Sequence, residues 1–350
     1  MHKLKHPLIT LAILTSLSPF AFSGSFSETT TASFSVDFLI GAIDGAGIDS
    51  SSEPQTATYQ FDIDLQTSFT GEDSLDLSYD AWLDDGSKFS VDGLGVNSSE
   101  CTETLCSSQI DSLKVDGISY FFPVGDATFG VGYSELYLNR GISHPDDNTN
   151  LQGALVGASY RHDGFSVAGY LMPDGDNDIS AETEDETFNG TVTGKAWGAA
   201  AAYSADNYGV AVTYNNVDSV AGFEGGYESD ELTQTGVGIN AYYSVGDMTL
   251  SAAYEVVDTG DDTTDNNFFV GLSWEEVGPG TAMLSYEEYH TIDHAENPNG
   301  FYVNAGDSSV YEASYSYPLN DGMTVTPGLL YMEHDGVDET GLTIKSAFSF

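Results

Sequence analysis

Leu342-Thr343-Ile344-Lys345-Ser346-Ala347-Phe348-Ser349-Phe350 closes the sequence, and its alternation decides the fold. Successive side chains of a β-strand point to opposite faces. Leu342, Ile344, Phe348 and Phe350 therefore share one face, and Thr343, Lys345, Ala347 and Ser349 the other. A strand with one apolar face and one charged face fits a sheet that separates lipid from a wet interior. The same division recurs. Tyr59, Phe61, Ile63 and Leu65 oppose Gln60, Asp62, Asp64 and Gln66, and Leu250, Ala252, Tyr254 and Val256 oppose Thr249, Ser251, Ala253 and Glu255.

Working outward, period-two segments predict strands near 33–43, 57–70, 73–83, 111–122, 126–138, 151–161, 164–173 and 192–204. Eight more fall near 207–218, 233–245, 247–257, 266–276, 281–290, 307–317, 322–333 and 340–350. The connections alternate in length. Short, turn-like ones sit at Thr70-Gly71-Glu72-Asp73, Pro123-Val124-Gly125-Asp126, His162-Asp163-Gly164, Ala205-Asp206-Asn207, Val245-Gly246-Asp247, Gly278-Pro279-Gly280 and Asn320-Asp321-Gly322. Long acidic ones lie between them, the largest at 84–110 and 174–191. Segregation of loop length marks an all-β, antiparallel transmembrane barrel of about sixteen strands, with long extracellular loops and short periplasmic turns. A soluble sandwich has no reason to sort its loops this way.

Compartment and composition agree with that reading. Lys3 and Lys5 precede an apolar run from Leu8 to Leu17 and the triplet Ala21-Phe22-Ser23, the pattern of a signal peptide over 1–23. A short periplasmic segment over 24–32 and the barrel over 33–350 follow. The apolar run is about half of the roughly 20 residues a membrane helix needs. There are 21 Tyr, 19 Phe and 38 Gly against only 8 Lys and Arg, and the formal charge is −47. Loss of the two leader lysines takes it to −49. So negative a surface repels nucleic acid; salt adaptation and divalent bridging to surface lipids explain it as well as function does. Cys101 and Cys106 face an oxidising compartment, and a local disulfide is expected.

Three stretches carry a resemblance. They are Leu65-Gln66-Thr67-Ser68-Phe69-Thr70-Gly71-Glu72-Asp73-Ser74-Leu75, Ser119-Tyr120-Phe121-Phe122-Pro123-Val124-Gly125-Asp126, and Tyr311-Glu312-Ala313-Ser314-Tyr315-Ser316-Tyr317 with Val325-Thr326-Pro327-Gly328. They resemble the barrel of cyanobacterial outer-membrane porins, relatives of the carbohydrate-selective porins, in strand order and over nearly the whole mature chain. The surface-layer-homology domain usual in such porins has no counterpart in the reading. The resemblance implies a diffusion pore for ions and small solutes and a homo-oligomer, a trimer in preference. The terminal Phe350 looks like the end of substrates of the barrel-insertion machinery.

A barrel of sixteen strands is wide enough for an aqueous channel. Strand phase puts Asp37, Asp62, Asp64, Asp76, Asp80, Glu255, Glu275, Glu287 and Glu312 on its inner face, with Lys345. Wall carboxylates bias which ions enter; the bland alternative is that about half only solvate the wall or pair with Lys345 and Arg161. No catalytic residues are expected, because the histidines fall at turns, loops or strand ends and no Ser–His pair is forced together. His290 and His294 lose their shared helical face in a strand. Asp174, Asp176 and Asp178 start like a calcium loop, yet Ile179 stands where the turn needs Gly. Loosely bound Ca2+ or Mg2+ at acidic loops is the only cofactor expected. The main alternatives to a cation-preferring pore are a nutrient-selective channel, for which Arg140 and Arg161 are few, and an adhesin barrel. Outer-membrane lipid, small ions and solutes complete the expected partners.

Overall fold

The computed structural model describes residues 29–45, 55–83, 110–136, 151–182, 187–223, 227–228, 232–258, 264–291, 306–334 and 337–350. Its strands are β1 (Thr30–Gly45), β2 (Gln55–Thr67), β3 (Ser74–Leu83), β4 (Ile110–Val124), β5 (Ala127–Leu136), β6 (Leu151–His162), β7 (Phe165–Glu182), β8 (Thr187–Ser204) and β9 (Tyr208–Phe223). Then come β10 (Tyr227–Glu228), β11 (Leu232–Val245), β12 (Met248–Asp258), β13 (Thr264–Val277), β14 (Gly280–Thr291), β15 (Gly306–Asn320), β16 (Met323–His334) and β17 (Val337–Ser349). β10 is a two-residue pairing on β9, Tyr227 opposite Phe223. The other sixteen form the wall. Each pairs antiparallel with its neighbour, and β1 pairs with both β2 and β17, so the sheet closes on itself. Closure leaves no edge and satisfies the backbone within the wall, which a lipid surrounding demands.

The two faces are those expected from phase. In β17, Leu342 and Ile344 are 54% and 47% exposed, whereas Thr343 between them is 1% exposed. Across the seam Ile344 pairs with Ile40 and Lys345 with Leu39, so β1 continues both faces. The outer face carries aromatic side chains in two bands, as at the two interfaces of a membrane barrel. Near the short-turn end Tyr120, Phe122 and Phe129 stack at centroid distances of 5.8 and 6.1 Å, and Tyr203 meets Tyr208 at 5.9 Å. Toward the other end lie Trp197 with Tyr214 at 4.9 Å and the run Tyr286, Tyr311, Tyr331 at 4.7 and 6.0 Å.

All seven short connections form where the sequence places them, at the end that also holds Phe350. The Asp163-Gly164 turn shows why these residues stand there. Both have positive φ, 46° and 79°, as a two-residue hairpin turn that follows strand twist requires, and a Cβ on Gly164 would collide with the Ser204 carbonyl.

Three boundaries differ from the sequence reading. β1 starts at Thr30, so the end of the 24–32 segment is already wall. Residues 174–191 are not a connection: β7 runs to Glu182 and β8 begins at Thr187. β9 continues to Phe223 into what reads as the 219–232 loop. The reason is a reversal of polarity. Up to the level of Trp197 the outward side chains of these strands, Val167, Leu171 and Trp197, are apolar and exposed, while Ser166 and Ala168 are buried inside. Higher up, the outer face carries Lys195 bound to Asp218 at 3.1 Å, and Leu151, Met172, Val192, Ala196 and Val217 form a dry cluster on the inner face. A membrane strand needs about 9–11 residues, so the 18-residue strands β7 and β8 project beyond the lipid. Pro173-Asp174-Gly175-Asp176, which looks like a turn, sits at a bulge between Met172 and Gly175 instead. Cys101 and Cys106 lie outside the described residues.

Candidate functional site

Cross-strand partners in an antiparallel sheet share a face, so the register places the acids without appeal to rotamers. In β1–β3, Asp37 stands opposite Gln60, Ser35 opposite Asp62, Asp62 opposite Asp80, and Gln66 opposite Asp76; Asp64 lies opposite Ser33 and Ser78. All belong to the inner face. This quarter of the wall is dense in donors. Ser35 and Gln60 donate to Asp62 at 3.0 and 3.1 Å, Gln66 donates to Asp76 at 3.0 Å, Ser74 also donates to Asp76, and Ser33 donates to Asp64 at 3.4 Å. Lys345 binds Asp37 at 2.9 Å, with both side chains mostly covered. Lys114 is opposite Asp80 in the β3–β4 register, a pairing that a bulge in β4 hides from the sequence.

The acids of β12–β15 occupy the same face on the wall segment that leads round to β17. Glu255 stands opposite Asn267 across β12 and β13. Glu287 is opposite Phe269 and Val310, and Glu312 opposite Ser285. The four residues form a diagonal across four strands. Here burial is deeper: Glu255 and Asn267 are each 5% exposed. Asn267 donates its amide to Glu287 Oε1, and the Ser285 hydroxyl donates to Glu312 Oε2, both at 3.4 Å. Asn267 Oδ1 and Glu312 Oε1 are buried and accept no hydrogen bond. Asn267 is a member of this set that a search for charged residues misses.

Glu275 stands apart from both groups. It is exposed beside the bulge between Trp274 and Val277, where its N–H donates to the Asp247 carbonyl at 2.7 Å. It belongs to the turn end, not to the middle of the wall. Asp174 and Asp176 are exposed at the bulge of β7, and Asp178 pairs in register with Thr191. Among the described residues no three His, Cys, Asp or Glu gather closely enough to hold a metal. Arg161 is exposed at the short-turn end of β6, opposite Ser166.

The turn below β2 and β3 holds the most fully bonded carboxylate. Asp73 Oδ1 accepts from the Ser68 hydroxyl (2.8 Å), the Phe69 and Thr70 N–H groups (2.9 and 2.7 Å) and the Thr70 hydroxyl (2.8 Å). Tyr120 of β4 donates to Oδ2 at 2.7 Å. Burial raises such a carboxyl, but the donors, Thr70 first and then Tyr120 and Ser68, outweigh it and hold Asp73 well below the usual carboxylate range. Two of the three stretches that carried the resemblance thus meet at one hydrogen bond.

Comparison with known proteins agrees with this geometry. The barrel is similar to OprB of Pseudomonas putida (13% identity, covering 93% of this chain and 95% of that one, TM-score 0.63). It is also similar to an anion-selective porin from Comamonas acidovorans (14%, 92% and 99%, TM-score 0.57) and to OmpF of Salmonella typhi (13%, 92% and 97%, TM-score 0.54). At such identities the likeness concerns the fold. No curated protein matches the chain. The family model described as Gram-negative porin matches residues 66–337, from β2 through the start of β17, and the chain, an outer-membrane β-barrel, belongs to that family.

Proposed function

We propose that this outer-membrane channel passes small hydrophilic solutes by passive diffusion, that its interior favours cations, and that it works as a homo-oligomer. The observation that carries the preference is the imbalance on the inner face. Asp37, Asp62, Asp64, Asp76, Asp80, Glu255, Glu287 and Glu312 line it by register, against Lys345, Lys114 and Arg161 among the described residues. Lys345 is already neutralised by Asp37. Salt shortens the Debye length to about 8 Å at physiological strength and mutes charges at a wide mouth. It acts far less on wall carboxylates that an ion passes within a few ångströms, between low-dielectric surfaces that focus the field.

The sugar-selective reading implied by the finer resemblance calls for an aromatic platform. Phe121, Tyr242 and Phe269 lie on the inner face, but each packs across a glycine of the sheet, Gly130, Gly209 and Gly271 respectively. Among the described residues they fill gaps in the wall separately and make no stacked surface, which favours the ion reading. The test is the reversal potential of the reconstituted channel under a KCl gradient. A cation-selective value that persists at high salt is expected; a zero or anion-selective value overturns the preference.

A further inference from the structure

We infer that water and ions cross this barrel off-centre, along the inner wall of β1–β3, and that Asp62, Asp64 and Asp76 on that wall weigh more in the choice of ion than Glu255 of β12. The inference rests on the cation-preferring reading above and gives it an address.

Among the described residues, the inner face is dry over several stretches of the wall. On β6–β9, Leu151, Met172, Ala196 and Val217 are fully buried and pack into one apolar cluster. On β12 and β13, Glu255 and Asn267 are buried opposite one another. On β16 and β1, Leu330 and Leu39 are buried; Leu330 stands opposite Glu312 and Leu39 opposite Lys345, which puts both on the inner face. A side chain that faces the lumen but meets no water does not meet a hydrated ion either.

The wall of β1–β3 is different. Asp64 and its neighbour Ser33 are exposed, and Asp62 and Asp76 are half-buried. The three carboxylates descend the wall in order: Asp64 follows Asp62 on the inner face of β2, and Asp76 of β3 stands opposite Gln66, the next residue on that face. Two residues along a strand, or one diagonal across a pair, cover about 7 Å. That step is within the Debye length of about 8 Å at physiological salt, so the fields of successive carboxylates overlap. Neutral groups hold them in place: Ser35 and Gln60 on Asp62, Ser33 on Asp64, Gln66 and Ser74 on Asp76. Such donors orient a carboxylate without cancelling its charge, whereas Lys345 cancels that of Asp37.

The test is single-channel recording of the full-length protein in planar bilayers in KCl. Asp64→Asn keeps size and shape and should lower the permeability ratio of K+ to Cl− about threefold, by removing a field focused on the path. Glu255→Gln removes the same charge from the same face and should lower it by a clearly smaller factor. The path itself is read without reference to charge. Ser33→Cys puts a thiol on the wet wall and Ala196→Cys puts one in the dry cluster. A bulky, water-soluble methanethiosulfonate reagent should cut the current through Ser33→Cys and leave that through Ala196→Cys at the wild-type level, wild type serving as the control for Cys101 and Cys106. Insertion of each variant is checked by heat-modifiable migration, and if Asp64→Asn does not insert, Asp76→Asn takes its place in the comparison. Equal modification of the two thiols, or an effect of Glu255→Gln as large as that of the aspartate variant, overturns the inference. A non-selective wild type in which the reagent still acts on Ser33→Cys alone sinks the cation preference and leaves the off-centre path standing.

Discussion

The acids of β1–β3 and those of β12–β15 face one channel from the same strand phase, yet they live in different surroundings. Around Asp62, Asp64 and Asp76 the wall supplies Ser and Gln donors, and Asp37 has Lys345. Further round, Glu312 accepts one bond, from Ser285, while Asn267 donates one, to Glu287, and each keeps a buried oxygen that accepts none. Short Asp side chains stay near the sheet, within reach of neighbouring hydroxyls and amides, whereas Glu287 and Glu312 stand opposite Phe269, Val310 and a single serine. Residue type and phase decide which way a carboxylate points. What stands opposite decides whether it is hydrogen-bonded, ion-paired or left with an oxygen that accepts no bond.

The largest expected effect tests whether the donor-rich wall depends on the turn beneath it. Asp73→Asn keeps the shape but replaces one acceptor oxygen by a donor group facing donors. Loss of charge-assisted bonds to a covered carboxylate costs about 1.5–3 kcal/mol each way it is counted, so the thermal transition of the detergent-extracted barrel should fall clearly at neutral pH. The folded carboxyl titrates below its ordinary value. Its stabilisation is therefore complete above the unfolded pKa of about 3.9 and is lost as pH drops through the lower folded value. The gap between wild type and variant should hold from neutrality down to about pH 4 and close only below it. A gap that is unchanged in strong acid would mean that the turn uses the shape of Asp73 and not its charge.

A smaller effect is expected at the seam. Lys345→Met keeps the stem that lies along the wall and removes the ammonium, leaving Asp37 without its 2.9 Å partner. Asp37 is still partly hydrated, so stability should drop by only about 1 kcal/mol. The channel should become more cation-selective, read as a larger reversal potential in the same KCl gradient. If selectivity instead stays put, the β1–β3 wall does not lie along the ion path, and the comparison reduces to β12–β15 alone.

Most of this architecture is legible in the sequence, and the failures have one cause. Alternation marks every wall strand, and Gly, Asp, Asn or Pro marks every short turn, because both signals are local. The upper parts of β7 and β8 are missed because their apolar side chains, Met172 and Val192, face inward while Lys195 faces out. A search tuned to an apolar outer face takes such a stretch for a loop. Glu275 keeps its phase but lies beside a bulge at the turn end, a position that leaves no compositional trace. In the site, phase puts Asp62 and Glu255 on one face, but nothing local tells the half-buried Asp62 from Glu255 at 5% exposure. That difference comes from what the register sets opposite each, Ser35 for Asp62 and Asn267 for Glu255, which no single segment announces.

The smallest effect separates charge inside the barrel from charge outside it. Lys195 and Asp218 bind at 3.1 Å on the outer face, above the band marked by Trp197 and Tyr214, with the lysine side chain 58% exposed. An exposed pair of this kind is worth about 0.5 kcal/mol or less, and less in salt. Lys195→Gln should leave the thermal transition nearly where it was. It also leaves Asp218 with the Thr233 hydroxyl at 2.8 Å, so the carboxylate keeps a partner. More usefully, it removes one of the few positive charges of the chain without touching the lumen. Were selectivity set by total charge, this variant and Lys345→Met would shift the reversal potential equally. Since a barrel wall stands between Lys195 and the ion path, only Lys345→Met should move it, and equal shifts would show that the inner face does not govern which ions pass.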